Sequence, residues 1–460
     1  MKSTAAAFLL FSALNLLAQT DVKTLGVLGD GVHDDAPALQ AAIDAGHADL
    51  FFPKGVYVLS TPVVFDLAKT GFASVSGHGT ATLLMKGAGP AISFKGSHEG
   101  TASPPTVKPG VWTSERTPTL DGIEIVGAHP EADGVEAEGT MQLTVTRLVV
   151  REARHAVHLV KRNRNTLIAD SHLYHNRGAG VLLDGVNLHQ INITNCHISY
   201  NGGGGVVSRG GNVRNLQIGS SDIEGNHDAD GPPTANVWLD SSGGSIGEVS
   251  ISGCTLQHTN KAPGSANIRI QGGGHDPSLE RREGRATTRE GNVTIGNNVF
   301  SDVQINVEIR SARGVTLTGN TFWEGFQHDL LVEDSSHVVI SSNNFDRNPR
   351  YLVNGFKNAE SNGILLRNCS DTTLSSNIVA GVKNKPAAVH IIEGSRLNIH
   401  HNTILDSDGA GLLLENVTRS LVSGNLVFDD RPAGERSSQP ALKITGGGGN
   451  LVEANLAPER

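Results

Sequence analysis

From residue 143 onward, apolar and polar positions alternate for a few residues, break at an Asn or Gly, and start again. INITNCHISYN, from Ile191 to Asn201, has the same pattern as LQIGSSDIEGN, from Leu216 to Asn226. VTLTGNTFWEG from Val315, VVISSNNFDRN from Val338 and LNIHHNTILDS from Leu397 repeat it again. The shared form is apolar, any, apolar, any, any, Asn or small, any, apolar. Copies start at 143, 166, 191, 216, 249, 293, 315, 338, 372, 397, 420 and 450. Most intervals are 22 to 25 residues, and the longer ones mark insertions. Short alternating runs broken by Asn and Gly predict short strands and tight turns. A period of this length without an amphipathic helix predicts one solenoid coil per copy. A coil cannot bury its apolar face alone, so the coils stack, about 4.8 Å apart.

Stacking accounts for the recurring Asn. Asn298, Asn320, Asn343, Asn377, Asn402, Asn425 and Asn455 share one slot, where amides can bond along the column. Earlier coils hold Ser171, Cys196, Ser221 and Cys254 there. Cys196 and Cys254 are then two coils apart, about 9.6 Å. A disulfide needs a Cα separation of roughly 4.4–6.8 Å. Three free thiols are therefore predicted, with Cys369 the third.

After the Asn turn each coil has a second strand, such as NVWLD, NIRIQ, NVEIR and DLLVE. Alternation points Val237, Leu239, Ile268, Ile270, Val307 and Ile309 inward. The middle outward row then reads His158, Leu182, Val207, Trp238, Arg269, Glu308, Leu331, Leu365, His390, Leu413 and Lys443. The next outward row is Asp184, Arg209, Asp240, Gln271, Arg310, Glu333 and Arg367. On the other side, the same alternation makes Asn236, Asn267, Asn306 and Asp329 an outward row. The coils between 236 and 367 thus present a dense polar strip with Trp238 at its edge. Three insertions cluster here: HDADGPPTA, the segment 272–291 and the segment 346–361. Long loops on a rigid scaffold often build binding walls.

The N-terminal segment is different. GVLGDGVHDDAPALQAAIDA, followed by DLFFPKGVYVLSTPVVF and VSGHGTATLLM, resembles the opening of the pectate-lyase-like right-handed parallel β-helix superfamily. The resemblance implies an all-β chain, a single-stranded right-handed parallel β-helix with a short N-terminal capping helix. It also implies that the acids of this stretch belong to the plug rather than to an active site. The residues agree: Gly29-Asp30-Gly31 is turn chemistry, Asp34 or Asp35 can cap a helix, Pro37 is tolerated in its first turn, and Leu39, Ala42 and Ile43 share a face. His78, in Gly77-His78-Gly79, reads as a turn.

Composition changes the picture in two places. The start, MKSTAAAFLLFSALNLLAQT, reads as a secretory signal over 1–18, so a secreted or periplasmic protein is expected. The remainder divides into 19–142, cap and first coils, and 143–460, the repeats, as one continuous domain. A net charge of −9 without basic runs argues against nucleic acid, and no later segment is apolar enough to span a membrane.

The strip suits a sugar chain. Asp240, Asn267, Gln271, Asn306, Arg269, Arg310 and Arg367 match hydroxyl and carboxylate groups, and Trp238 matches an apolar ring face. Glycoside hydrolysis needs two carboxyl groups, roughly 6.5–9.5 Å apart for inversion. Glu308 pairs with Asp329 or Glu333, each with a Cα separation of about 8 Å. These three are the candidate catalytic acids. Secreted polysaccharide cleavage, with inverting hydrolysis ahead, is the expectation. Uronate elimination or epimerisation is the alternative, drawing on Arg269, Arg310, Arg367, Arg350, Tyr351 and His328. A non-catalytic glycan-binding solenoid is the third reading. The resemblance implies Ca²⁺ if the protein is a lyase, held by Asp240, Glu308 or Asp329; otherwise no cofactor or metal ligand is assigned.

Overall fold

The structure is a computed structural model that describes residues 19–100, 103–258, 262–273, 290–347 and 361–458. The leader, Arg350, Tyr351 and most of the 272–291 and 346–361 insertions lie outside the described residues.

All strand pairings between coils are parallel. The twelve copies stack in the expected register: Leu167 on Asn192, Asn192 on Gln217, Gln217 on Ser250, Ser250 on Thr294, and so on to Leu421 on Leu451. The column runs further back, from Val145 through Leu120, Val75 and Leu50 to Thr20. These earlier coils escape the repeat pattern because their strands are unequal in length and interrupted by insertions. Each complete coil has three faces. In the coil that begins at Ala235, the first two are one bent strand, Ala235–Ser252, and the third is the short strand Thr255–Gln257. The inward positions of the strands are apolar, with Val237, Leu239, Ile268, Ile270, Val307 and Ile309 all buried.

The N-terminal plug is helix α1, Ala36–Asp44, which buries Leu39, Ala42 and Ile43 over the first coils. Asp35 accepts the backbone N–H groups of Leu28 and Gly29 at 2.7 and 3.1 Å. Asp34 accepts from the Ala36 N–H in the first turn and from the Ser60 hydroxyl at 3.2 and 2.6 Å. Asp30 pairs with His33 at 2.7 Å. The acid-rich opening is therefore spent on holding the cap. His78, expected in a turn, lies instead within the strand Ser74–Met85, where its left-handed φ of 50° marks a break in register, and its ring is against Phe51.

The expected Asn column is present. From Asn298 each Nδ2 donates to the Oδ1 of the next member, at 2.9–3.1 Å, as far as Asn455. Behind it Phe300, Phe322 and Phe345 stack with centroids 4.8 and 4.4 Å apart. Cys196, Cys254 and Cys369 are free and buried.

One expected row is wrong. Asn236, Asn267, Asn306 and Asp329 do not face outward; all four are fully buried. They end a second interior ladder, Asn176–Asn201–Asn226–Asn236–Asn267–Asn306–Asp329, with steps of 2.7–2.8 Å. Alternation fails because these residues sit at the corner where the chain enters the strand. There Asn236 and Val237 both turn inward, and the amide also satisfies a turn carbonyl, that of Gln257, at 3.1 Å.

Candidate functional site

The two remaining outward rows lie as expected. Trp238, Arg269, Glu308, Leu331, Leu365 and His390 are direct partners on successive coils. So are Asp240, Gln271, Arg310, Glu333 and Arg367. The rows meet in an ion-pair network. Glu308 accepts from Arg269 Nε at one oxygen and from Arg310 Nε at the other, both at 2.6 Å. Arg310 also bonds Glu333, and Glu333 reaches Arg367 at 3.3 Å. Glu308 is only 5% exposed. Burial pushes its carboxyl up, and the two guanidinium groups more than reverse this, so its pKa lies below the ordinary value.

This arrangement removes the expected acid pairs. Glu308 is held as a carboxylate with both oxygens engaged. Asp329 is sealed in the interior, where burial pushes its pKa up to about 7. Its Oδ1 accepts from Asn306 Nδ2 and the Gly325 N–H, and among the described residues its Oδ2 has no partner. Glu333 bridges two arginines. Asn267 and Asn306 are likewise interior and do not reach the strip surface. Trp238 packs between apolar residues of neighbouring coils, and the Arg209 and Arg269 guanidinium groups lie over its ring at 4.9 and 5.4 Å. Its faces are occupied. Asp240 is turned onto the Ser242 N–H and hydroxyl at 2.9 and 2.6 Å, and Gln271 onto the Gly272 carbonyl.

Towards the C-terminus the strip opens into a cavity of about 270 Å³. His328, Arg367, Lys385 and His390 supply its polar lining, and Leu365 and Ala387 part of its apolar wall. Arg367 is half exposed. Burial lowers the pKa of Lys385. Burial, and then the nearby Lys385 charge, push His328 down to about 4, so it is neutral near pH 7. His390 Nε2 lies 2.7 Å from Glu415 Oε2. Of these four, Arg367 and His390 stood in the sequence rows and His328 was named among the groups for proton abstraction, without the three being joined. Lys385 gave no signal, because it precedes its strand in a turn.

A second polar cluster lies on the same face nearer the N-terminus. Asp133, 1% exposed, takes a bidentate pair from Arg154 at 2.6 and 2.9 Å. His158 faces Asp133, Glu136 and Asp184 at 3.8, 3.8 and 3.3 Å. Burial works against the His158 imidazolium, but the Asp133 and Asp184 carboxylates prevail and raise its pKa. The signal was the pairing of His158 with Asp184 two residues along the next coil.

Three family models tile the chain. Residues 19–90 match rhamnogalacturonase A/epimerase, pectate lyase-like; residues 111–256 match the right handed beta helix region; residues 267–455 match periplasmic copper-binding protein (NosD). The chain belongs to the pectate-lyase-like right-handed parallel β-helix superfamily. Among superfamily-type solved structures, the Dettilon tailspike protein aligns with a TM-score of 0.52 at 13% identity, over 92% of this chain and 68% of that one. A mannuronan C-5 epimerase A-module from Azotobacter vinelandii aligns at 0.43 and 15%, over 96% and 100%. The catalytic unit of an α-1,3-glucanase from Streptomyces thermodiastaticus aligns at 0.41 and 12%, over 96% and 70%. A search of curated proteins finds no significant match.

Among the described residues no group of three or more His, Cys, Asp or Glu side chains is placed to hold an ion, Ca²⁺ or copper. The three acids expected for Ca²⁺ are committed elsewhere: Asp240 to its own turn, Glu308 to two arginines, and Asp329 to the interior ladder. Among the described residues, no helix is long and apolar enough to cross a membrane.

Proposed function

We propose that this superfamily member acts outside the cytoplasm on an acidic polysaccharide, by proton transfer at a uronate carbon rather than by glycoside hydrolysis. The observation that carries the reading is the cavity that gathers Arg367 and Lys385 beside the His390–Glu415 pair. A uronate carboxylate suits the two cations, which also stabilise the enolate formed when the α-proton leaves. With Glu415 holding the proton on His390 Nε2, Nδ1 is the atom that accepts from C5. The C5–H electron pair then forms the C4–C5 double bond and expels the C4 oxygen. Lys385, made more acidic by burial, donates to that oxygen. Return of a proton to C5 from the opposite face would instead give an epimer.

One observation favours hydrolysis as the second reading: His158, whose pKa neighbouring carboxylates raise, lies beside Asp184, whose carboxylate is 56% exposed. The test is incubation with polygalacturonate, alginate and other plant and algal glycans. An ultraviolet-absorbing unsaturated uronide, or inverted uronates by NMR, supports the proposal. New reducing ends without the unsaturated product support hydrolysis. Binding without turnover across the panel would make the protein a glycan-binding solenoid.

A further inference from the structure

On the second face, away from the strip, the coils that begin at 166, 191 and 216 form a groove of about 410 Å³. Five side-chain amides line it: Asn165, Gln190, Asn192, Asn215 and Gln217. Asn192 stacks directly on Gln217. Asn165, Gln190 and Asn215 occupy the left-handed corner before the strand, with φ of 54°, 63° and 56°. Gln190 and Asn192 are both exposed, and Ile191 between them is buried, so the two amides share one outward face.

These amides contrast with the interior ladders. There each Nδ2 is bonded to the next Oδ1. Here, among the described residues, none of the five has a protein partner for its amide, and Asn165 Oδ1 is buried without one. Each amide offers two donors and an acceptor, a pattern that matches vicinal hydroxyl groups. The coil spacing of about 4.8 Å is close to the length of one pyranose ring. Leu167 supplies an apolar patch, and no carboxylate lines the groove. Arg164, His189 and Arg214, each one residue before a lining amide, are direct partners on successive coils. Arg214 spends one N–H on the Val213 carbonyl and another on the Ser245 hydroxyl, which leaves further guanidinium donors.

We propose that this groove is a second, non-catalytic binding site for an acidic oligosaccharide. The amides hold its hydroxyls and Arg214 holds a carboxylate. The acidic class of the ligand rests on the proposed function; the groove itself does not.

The test removes the strip first. In the intact chain carrying Arg367→Ala and Lys385→Ala, calorimetric titration with oligogalacturonate and oligoalginate reads the groove alone. One of these acidic oligosaccharides is expected to bind. Adding Asn192→Ala and Gln217→Ala, both exposed, should weaken it at least tenfold, and in the otherwise wild-type chain these two changes should leave turnover of short substrates unaltered. Equal affinity with and without the groove substitutions overturns the inference, as does no binding at all. A neutral dextrin bound as tightly as the acidic probe overturns the Arg214 contact. Groove binding that persists while the wild-type strip neither binds nor turns over uronates overturns only the functional reading.

Discussion

Arg269 Nε donates to Glu308 Oε2 across 2.6 Å, from directly paired positions on adjacent coils. Both side chains are largely out of water, and the second Glu308 oxygen is taken by Arg310. Glu308 is thus a brace for two guanidinium groups. Glu308→Ala strands two cations, one of them buried, and is expected to cost about 3 kcal/mol in urea unfolding. Because the folded pKa lies below the unfolded one, this contribution is present above the unfolded carboxylate range. It is lost as pH falls through the folded value. A loss under about 1 kcal/mol would return Glu308 to the class of exposed ion pairs.

Asp329 has the opposite pH dependence. Its folded pKa, about 7, lies above the unfolded value, so between the two the folded state binds the extra proton. Stability from this group is complete below the unfolded value and falls as pH rises through about 7. Asp329→Asn extends the amide ladder without a charge and should stabilise the protein at pH 8 by on the order of 2–4 kcal/mol. At pH 4 the gain should nearly vanish. Denaturant titrations at the two pH values decide this.

Asn343 is bonded on every side: it accepts from Asn320, and its Nδ2 donates to the Leu317 carbonyl and to Asn377, each at 2.9–3.1 Å. Asn343→Ala leaves buried partners unpaired and should cost about 3 kcal/mol. Exposed Gln217→Ala should change stability by under about 0.5 kcal/mol. Similar thermal midpoints for the two variants would deny the ladder its structural role.

Burial raises all three thiol pKa values, those of Cys196 and Cys369 to about 11. A thiol-specific reagent should react with almost none of them in native protein near pH 8. All three should react after denaturation without reductant. Titration of only one thiol would mean a disulfide.

Arg367 and Lys385 should govern substrate affinity rather than folding, since Arg367 is half exposed and, among the described residues, has one long ion pair, at 3.3 Å. Arg367→Ala should weaken uronate binding about tenfold or more, as loss of a charge-assisted bond does. His390→Gln should leave binding within a few-fold and lower turnover by at least a hundredfold. Unchanged turnover in both variants would move the active site to the His158 cluster.

The sequence alone determined the solenoid, its twelve-copy register and the contents of the two outward rows. A repeat of one coil carries this information locally, because parity within each strand assigns faces and equal spacing stacks them. The Asn298 column and the free thiols follow from the same register. Parity stops being informative at a corner, where two successive residues can both turn inward. Only the tertiary structure therefore placed Asn236, Asn267, Asn306 and Asp329 in an interior ladder. It also decided the state of the strip acids. Whether Glu308 acts as an acid or as a brace depends on where two long arginine side chains come to rest, and that is set by contacts across coils, not by position in a row. The cavity beside His390 was invisible for the same reason. Lys385 joins it from a turn, outside any repeat, and only packing brings it to the cations and the His–Glu pair.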